Sequence, residues 1–253
     1  MISRYEVMLN GKPLADVDEN ILILDVGYPD ERRKIDSFKL ANRDGSRYHS
    51  EYKETASVNV SFQIRAYDIE ERQEICQKVI KWAKDGGWLT INDRPGKRLN
   101  CKPTSYPTVT SVQRWTDTLS ISFAAYNLPY WQDEEATTVT MTGTAPTEYL
   151  DTPGSISKAR VEVSITANAD ITSLTVIAGK TSMSLSGLTI REGQTVTIGY
   201  TNDILSIKVG KTSILNRRTG DDDLLVDCGE RSLVGFTANG SCTAIFSVRG
   251  LWE

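Results

Sequence analysis

The sequence is poor in the residues on which most enzymes are built. It contains one histidine, His49, in 253 residues. A Ser-His-Asp or Cys-His system would have to use that imidazole. It stands in the polar stretch Tyr48-His49-Ser50-Glu51, with no nucleophile motif beside it. The four cysteines, Cys76, Cys101, Cys228 and Cys242, include no CxxC pair. Structural zinc takes about four N or S ligands, usually closely spaced, so this set does not compose a zinc site. No GxxxxGK phosphate loop and no GxGxxG run occurs, which removes the usual nucleotide-binding signatures. Long apolar runs are missing too. Ile21-Leu22-Ile23-Leu24 is strand length, against the ~20 residues that span a bilayer. The segment Met1–Glu6 holds no continuous apolar core of a secretion signal. The expectation is therefore a protein made in the cytoplasm, with reduced thiols, no membrane partner and no cofactor.

An excess of basic charge is also lacking. The formal net charge is −4. Residues 1–131 carry 19 basic and 18 acidic groups, and residues 132–253 carry 10 and 15. Neither half offers the basic surface of a nucleic-acid binder. Aromatics are lopsided: 15 of the 20 Phe, Trp and Tyr residues precede Gln132. A carbohydrate platform in the second half would have to come from Tyr149, Tyr200 or Trp252.

What is present is alternation. Tyr5, Val7 and Leu9 alternate with polar residues, and Asn10-Gly11-Lys12-Pro13 then predicts a turn. Ile21–Val26 reads as a strand. Glu31–Glu54 is the most polar part of the first half, with Asn42-Arg43-Asp44-Gly45 as a hairpin turn signal. Lys34–Glu54 is read as a protruding arm. In Ser57–Arg65, Val58, Val60, Phe62 and Ile64 recur at period two, the pattern of a strand with one buried face. Asp68 then caps a helix over Ile69–Lys84, with Glu71 at capping-box spacing and Ile75, Val79, Trp82 and Ala83 on one stripe. Asp85-Gly86-Gly87 ends it. Further strands are expected at Trp88–Ile91, Arg98–Cys101, Pro107–Arg114 and Leu119–Phe123. Residues 132–158, rich in Thr and acid, read as a linker with one possible strand at Thr138–Thr142. Residues 159–253 show short alternating segments at regular intervals, the signature of a β-sandwich.

Clustered carboxylates invite two chemical readings. Asp221-Asp222-Asp223 could gather a cation, although the run lacks the alternating spacing and terminal Glu of an EF-hand. Otherwise it keeps a strand edge soluble, with Arg217 and Arg218 as counter-charge. Glu134-Glu135 and Asp221–Asp223 sit in linker and loop, which speaks against a paired-carboxylate glycosidase.

The order of these elements resembles the distal tail proteins, hub components of long, non-contractile phage tails. The residues that carry the resemblance are Arg43-Asp44-Gly45, the strand Val58–Ile64, the helix Ile69–Lys84, the segment Trp88–Pro95 (WLTINDRP), and Ile121-Ser122-Phe123 leading to Leu128-Pro129-Tyr130-Trp131. The resemblance implies a mainly β chain: an N-terminal β-sandwich with one helix and a hairpin arm (1–131), then a C-terminal galectin-like or carbohydrate-binding-module-like sandwich (159–253). It further implies a six-fold ring at the tip of a virion tail. That ring would contact the tail tube, a tail-tip protein and, in some relatives, a receptor-binding protein. Arg43, Asp44, Arg47 and Tyr48 are then expected at a ring interface. No catalytic role is implied. A carbohydrate-binding adhesion module and a cell-wall hydrolase are the competing readings.

Overall fold

The computed structural model describes residues 4–29, 32–39, 44, 46–108, 118–156, 158–201 and 204–253. They are mainly β, and they divide into two compact units, Met1–Trp131 and Gln132–Glu253. In the first unit the strands are β1 (Val7–Leu9), β2 (Lys12–Pro13), β3 (Ile21–Gly27), β4 (Arg32–Lys39), β5 (Ser46–Ile64), β6 (Gly87–Ile91), β7 (Lys97–Ser105) and β8 (Leu119–Ala125). They run in the order β2-β1-β6-β7-β8-β5-β3, and every pairing is antiparallel. The β1–β2 turn needs two left-handed residues, and Asn10 (φ 52°) and Gly11 (φ 74°) supply them. This is the Asn-Gly pair that a two-residue hairpin favours.

β7 is one continuous strand where the sequence suggested a short one. Its first half pairs with β6 (Leu89 opposite Leu99) and its second with β8 (Pro103 opposite Phe123). The sheet thus continues through a single strand from the β1–β6 side to the β8–β5 side. The expected strand Pro107–Arg114 lies largely outside the described residues.

Helix α1 (Ile69–Ala83) forms for the reasons its sequence suggests. Asp68 accepts a hydrogen bond from the Glu71 amide at 2.8 Å, and the Glu71 carboxylate accepts from the Tyr67 amide at 2.8 Å. Two otherwise unpaired N–H groups are satisfied this way. Ile75, Cys76, Val79 and Ala83 are buried. Trp82 is only half-buried. Its ring meets Phe123 edge-on at 6.2 Å, and its Nε1 donates to the Lys12 carbonyl. Lys78 reaches back to Asp18 at 2.8 Å. That hydrogen bond holds the Asp18 carboxyl below its ordinary value. A depressed carboxyl contributes stability above about pH 3.9 and loses it as pH falls through its folded-state value. Lys78→Ala is therefore expected to lower stability slightly at neutral pH, measured by urea unfolding. The difference from the parent should vanish in strongly acidic buffer.

Residues 132–158, whose Thr- and acid-rich composition suggested a linker with one possible strand at Thr138–Thr142, hold that strand as β10 (Thr137–Gly143) and a further one, β11 (Thr147–Asp151), while β9 (Trp131–Asp133) straddles the boundary between the units. Each Thr of β10 is paired along β21, so the polar run is the solvent face of a sheet. The remaining strands are β12 (Lys158–Ala167), β13 (Ile171–Ala178), β14 (Thr181–Ile190), β15 (Thr195–Thr201), β16 (Ile204–Val209), β17 (Thr212–Ser213), β18 (Arg218–Gly220), β19 (Leu225–Asp227), β20 (Arg231–Ala238), β21 (Cys242–Val248) and β22 (Leu251–Trp252). Two sheets result, ordered β10-β21-β12-β15-β16-β17 and β11-β20-β13-β14-β18. Their inner faces supply the core, with Val161, Val163, Ile165 and Phe246 from one and Leu174, Val176, Val234 and Phe236 from the other, all buried. This is the alternation of a two-layer sandwich.

All four cysteines are free thiols, with Cys76, Cys101 and Cys242 buried. Burial pushes the Cys101 thiol up to about 12, so it is a packing residue and not a nucleophile.

Candidate assembly surface

The most unusual surface of the first unit is the ribbon made by β4 and the outer half of β5. Residues 56–64 of β5 are flanked by β3 and β8, and Val58, Val60 and Phe62 are fully buried. Among the described residues, 46–55 are paired with β4 alone. The arm and the period-two strand, read separately in the sequence, are thus one continuous 19-residue strand. At about 3.3 Å per residue, the outer part extends roughly 30 Å.

The register decides which side chains share a face. Lys34 lies opposite Tyr52, Ile35 opposite Glu51, Ser37 opposite Tyr48 and Phe38 opposite Arg47. A bulge between Asp36 and Ser37 leaves His49 as the extra residue of β5. Cross-strand partners project together, so Phe38 and Tyr52 lie on one face and Ile35 and Tyr48 on the other. All four are exposed, Ile35 at 61 % and Tyr48 at 60 %. An isolated two-stranded ribbon is marginal in water, and here neither face is covered by the described residues. Lys34 sits 5.8 Å from the Tyr52 ring centroid, and its ammonium is raised by that neighbour first and by Glu54 after it.

Of the four residues expected at an interface, Arg47 and Tyr48 lie on this ribbon and Asp44 falls in sequence between its two strands, and all three are exposed. Arg43 is outside the described residues. The protruding arm read from the sequence includes Ile35, Phe38 and Tyr52, but nothing in the string singled them out as its exposed apolar groups. Between residues 32 and 54 the chain carries seven basic and four acidic groups, so the ribbon is positive in a protein that is negative overall.

The other candidate residues do not converge. His49 is exposed on the ribbon. The three consecutive aspartates splay apart. Asp221 accepts from the Ser182 amide at 2.7 Å, Asp222 pairs with Arg218 at 2.6 Å, and Asp223 faces Arg160 at 3.6 Å. Glu134 and Glu135 precede β10, and Arg249 donates to the Glu134 carbonyl.

The aromatic run 126–131 does not act as one cluster. Trp131 is buried and meets Tyr28 edge-on at 6.1 Å, with the Arg94 guanidinium over both rings. The Tyr28 hydroxyl donates to the Asp93 carboxylate at 2.6 Å. Tyr126 is exposed, and Tyr130 lies beneath Lys53. Trp88 is half-buried beneath the Arg98 guanidinium, 3.9 Å away. Of the possible sugar platforms, Tyr200 accepts from the Leu224 amide and is covered by Arg160, and Trp252 donates to Asp133 at 2.8 Å. Tyr149 alone of the three is widely exposed, with Arg231 beside it.

No protein-family model matches the sequence, and no curated protein does. Solved structures do match. The chain superposes on Dit (gp 19.1) of phage SPP1, described as a paradigm of the hub adsorption apparatus in phages infecting Gram-positive bacteria. The TM-score is 0.71 at 11 % identity, over 97 % of this chain and 98 % of that one. It also matches a chain of the phage p2 baseplate in its activated, strontium-bound conformation, with a TM-score of 0.51 at 9 % identity, covering 98 % of each chain. The fold, including the order of its two units, is that of these phage proteins.

Proposed function

We propose that the chain is a structural hub protein of a phage or prophage tail. It forms a ring that joins the tail tube to the tail-tip or baseplate proteins, and it carries out no reaction. The observation that carries this reading is the fold shared end to end with a phage hub protein. The ribbon adds a physical reason for assembly. Ile35, Phe38, Tyr48 and Tyr52 leave apolar surface on both faces of a two-stranded element, and a neighbouring copy would remove it from water. A patch that meets a different patch on the next copy closes into a ring when the rotation allows. On this reading the ring has six copies, and Arg43, Asp44, Arg47 and Tyr48 lie at its contacts. The partners are further copies of the chain, the tube protein, a tail-tip protein and a receptor-binding protein. The place of action is the virion tail tip. The second unit is the galectin-like, outward-facing module of the hub.

Antibody raised against the purified chain tests this directly. In electron micrographs of particles from cells expressing the surrounding gene cluster, the label is expected at one end of the tails. Label along the whole tube, on the capsid, or on no particle would contradict the hub reading.

A further inference from the structure

Among the described residues, the sheet edges are guarded against a further strand, with one exception. β2, β17 and β22 are two residues long, and β18 and β19 are three. β11 carries Glu148 and Asp151. β3 is bulged beside Asp25, and β4 is strongly charged and bulged twice. Shortness, charge and bulges are the devices that keep edges from pairing. β10 has none of them. Its seven residues, Thr-Thr-Val-Thr-Met-Thr-Gly, hold no charge and no proline, and they pair with β21 in unbroken register. No described strand pairs with its other side, so every second N–H and C=O of β10 points outward.

The side chains show what kind of strand fits. Thr138, Thr140 and Thr142 are exposed on one face. On the other, Val139 and Met141 lie opposite Phe246 and Ala244, both buried in the core. Val139 is nevertheless only half-buried, because no strand lies beyond it. The head of β10 is acidic, with Asp133, Glu134 and Glu135 in a row. Trp252 donates to the Asp133 carboxylate, and Arg249 donates to the Asp133 and Glu134 backbone carbonyls. The Glu134 and Glu135 carboxylates are exposed, and no protein group among the described residues pairs with them.

We propose that the free side of β10 is a docking edge for an extended segment of a partner protein, one that alternates apolar with hydroxyl residues and ends in basic ones. Main-chain hydrogen bonds supply the affinity of such an added strand, and alternate side chains supply the choice of partner. The antiparallel direction, the more stable one per residue, sets the segment's apolar side chains over Val139 and its hydroxyls beside Thr138, Thr140 and Thr142. Its C-terminal basic residues then meet Glu134 and Glu135. A second copy of this chain is the poorer occupant. Its own β10 brings no cation, and residues 132–253 carry 10 basic against 15 acidic groups, so two such units repel. The docking edge does not depend on the ring reading, because it lies within one unit of one chain.

The probe is the acetylated, amidated peptide Thr-Val-Thr-Val-Thr-Lys-Lys, added to the isotopically labelled full chain, with amide hydrogen exchange read by NMR. Alternate amides of β10, the outward ones, are expected to exchange several-fold more slowly with peptide present. N-methylating alternate residues of the peptide in one phase should abolish that protection, and in the other phase should spare it, because only one set of peptide amides faces β10. Glu134→Gln together with Glu135→Gln should weaken binding about fivefold, the order of two exposed ion pairs, without changing the thermal midpoint. The proposal fails if the peptide leaves β10 exchange unchanged, or if both N-methylated peptides bind alike. It fails equally if exchanging the two peptide lysines for glutamates does not weaken binding. Protection of the same amides by rising protein concentration alone would assign the edge to a second copy and overturn the proposal.

Discussion

Phe123→Ala is expected to destabilise the first unit by ~3–5 kcal/mol, the usual cost of emptying a buried aromatic site. Phe123 is fully buried on β8. It sits opposite Val58 of β5 and Pro103 of β7, and its ring and the Trp82 ring meet in a T-shaped contact. It therefore joins three strands to the helix, and no single neighbour can relax into the space it leaves. The melting temperature of that unit should fall by about 10 °C or more. Four of the five tryptophans lie in residues 1–131, so fluorescence during denaturation reports on the affected unit. A loss below ~1 kcal/mol would mean that the helix and sheet are not held together through this ring.

The second large effect concerns assembly and spares folding. Replacing Ile35, Phe38, Tyr48 and Tyr52 together by Ser removes the exposed apolar groups of the ribbon and leaves its backbone pairing in place. Burying such a side chain is worth ~1.5–3 kcal/mol. Four of them at each contact amount to ~6 kcal/mol or more, roughly four orders of magnitude in an association constant. Sedimentation velocity is expected to show the variant as a monomer at concentrations where the parent is assembled. Because all four side chains are exposed in one copy, the monomer's thermal midpoint should not fall. A variant that still assembles would move the contact elsewhere on the molecule. One that unfolds would show that the ribbon supports its own unit. Seven basic groups against four acidic ones in the ribbon also make assembly salt-sensitive wherever those charges meet the neighbour.

The fold was legible wherever side-chain period and burial coincide. Val58, Val60, Phe62 and Ile64 announce a one-sided strand, and Asp68 with Glu71 announces a helix start that the structure contains. Two things hid the rest. The threonines of β10 outnumber Val139 and Met141, so beyond the possible strand at Thr138–Thr142 the stretch reads as a linker. The polar composition of residues 34–54 announced an arm, but the pairing of β4 with the outer half of β5, distant in sequence, decides which of its apolar residues share a face. The carboxylate run 221–223 gave the opposite error, because adjacency in sequence did not become convergence in space.

On the proposed hub reading, the surface of this chain is built for closed self-assembly. Light-scattering mass of the full chain across a wide concentration series is then expected to rise from the 28.1 kDa monomer to a plateau at six copies, with no larger species beyond it. A mass that stays at one copy at every concentration, or that climbs without a plateau as an open filament would, would contradict it.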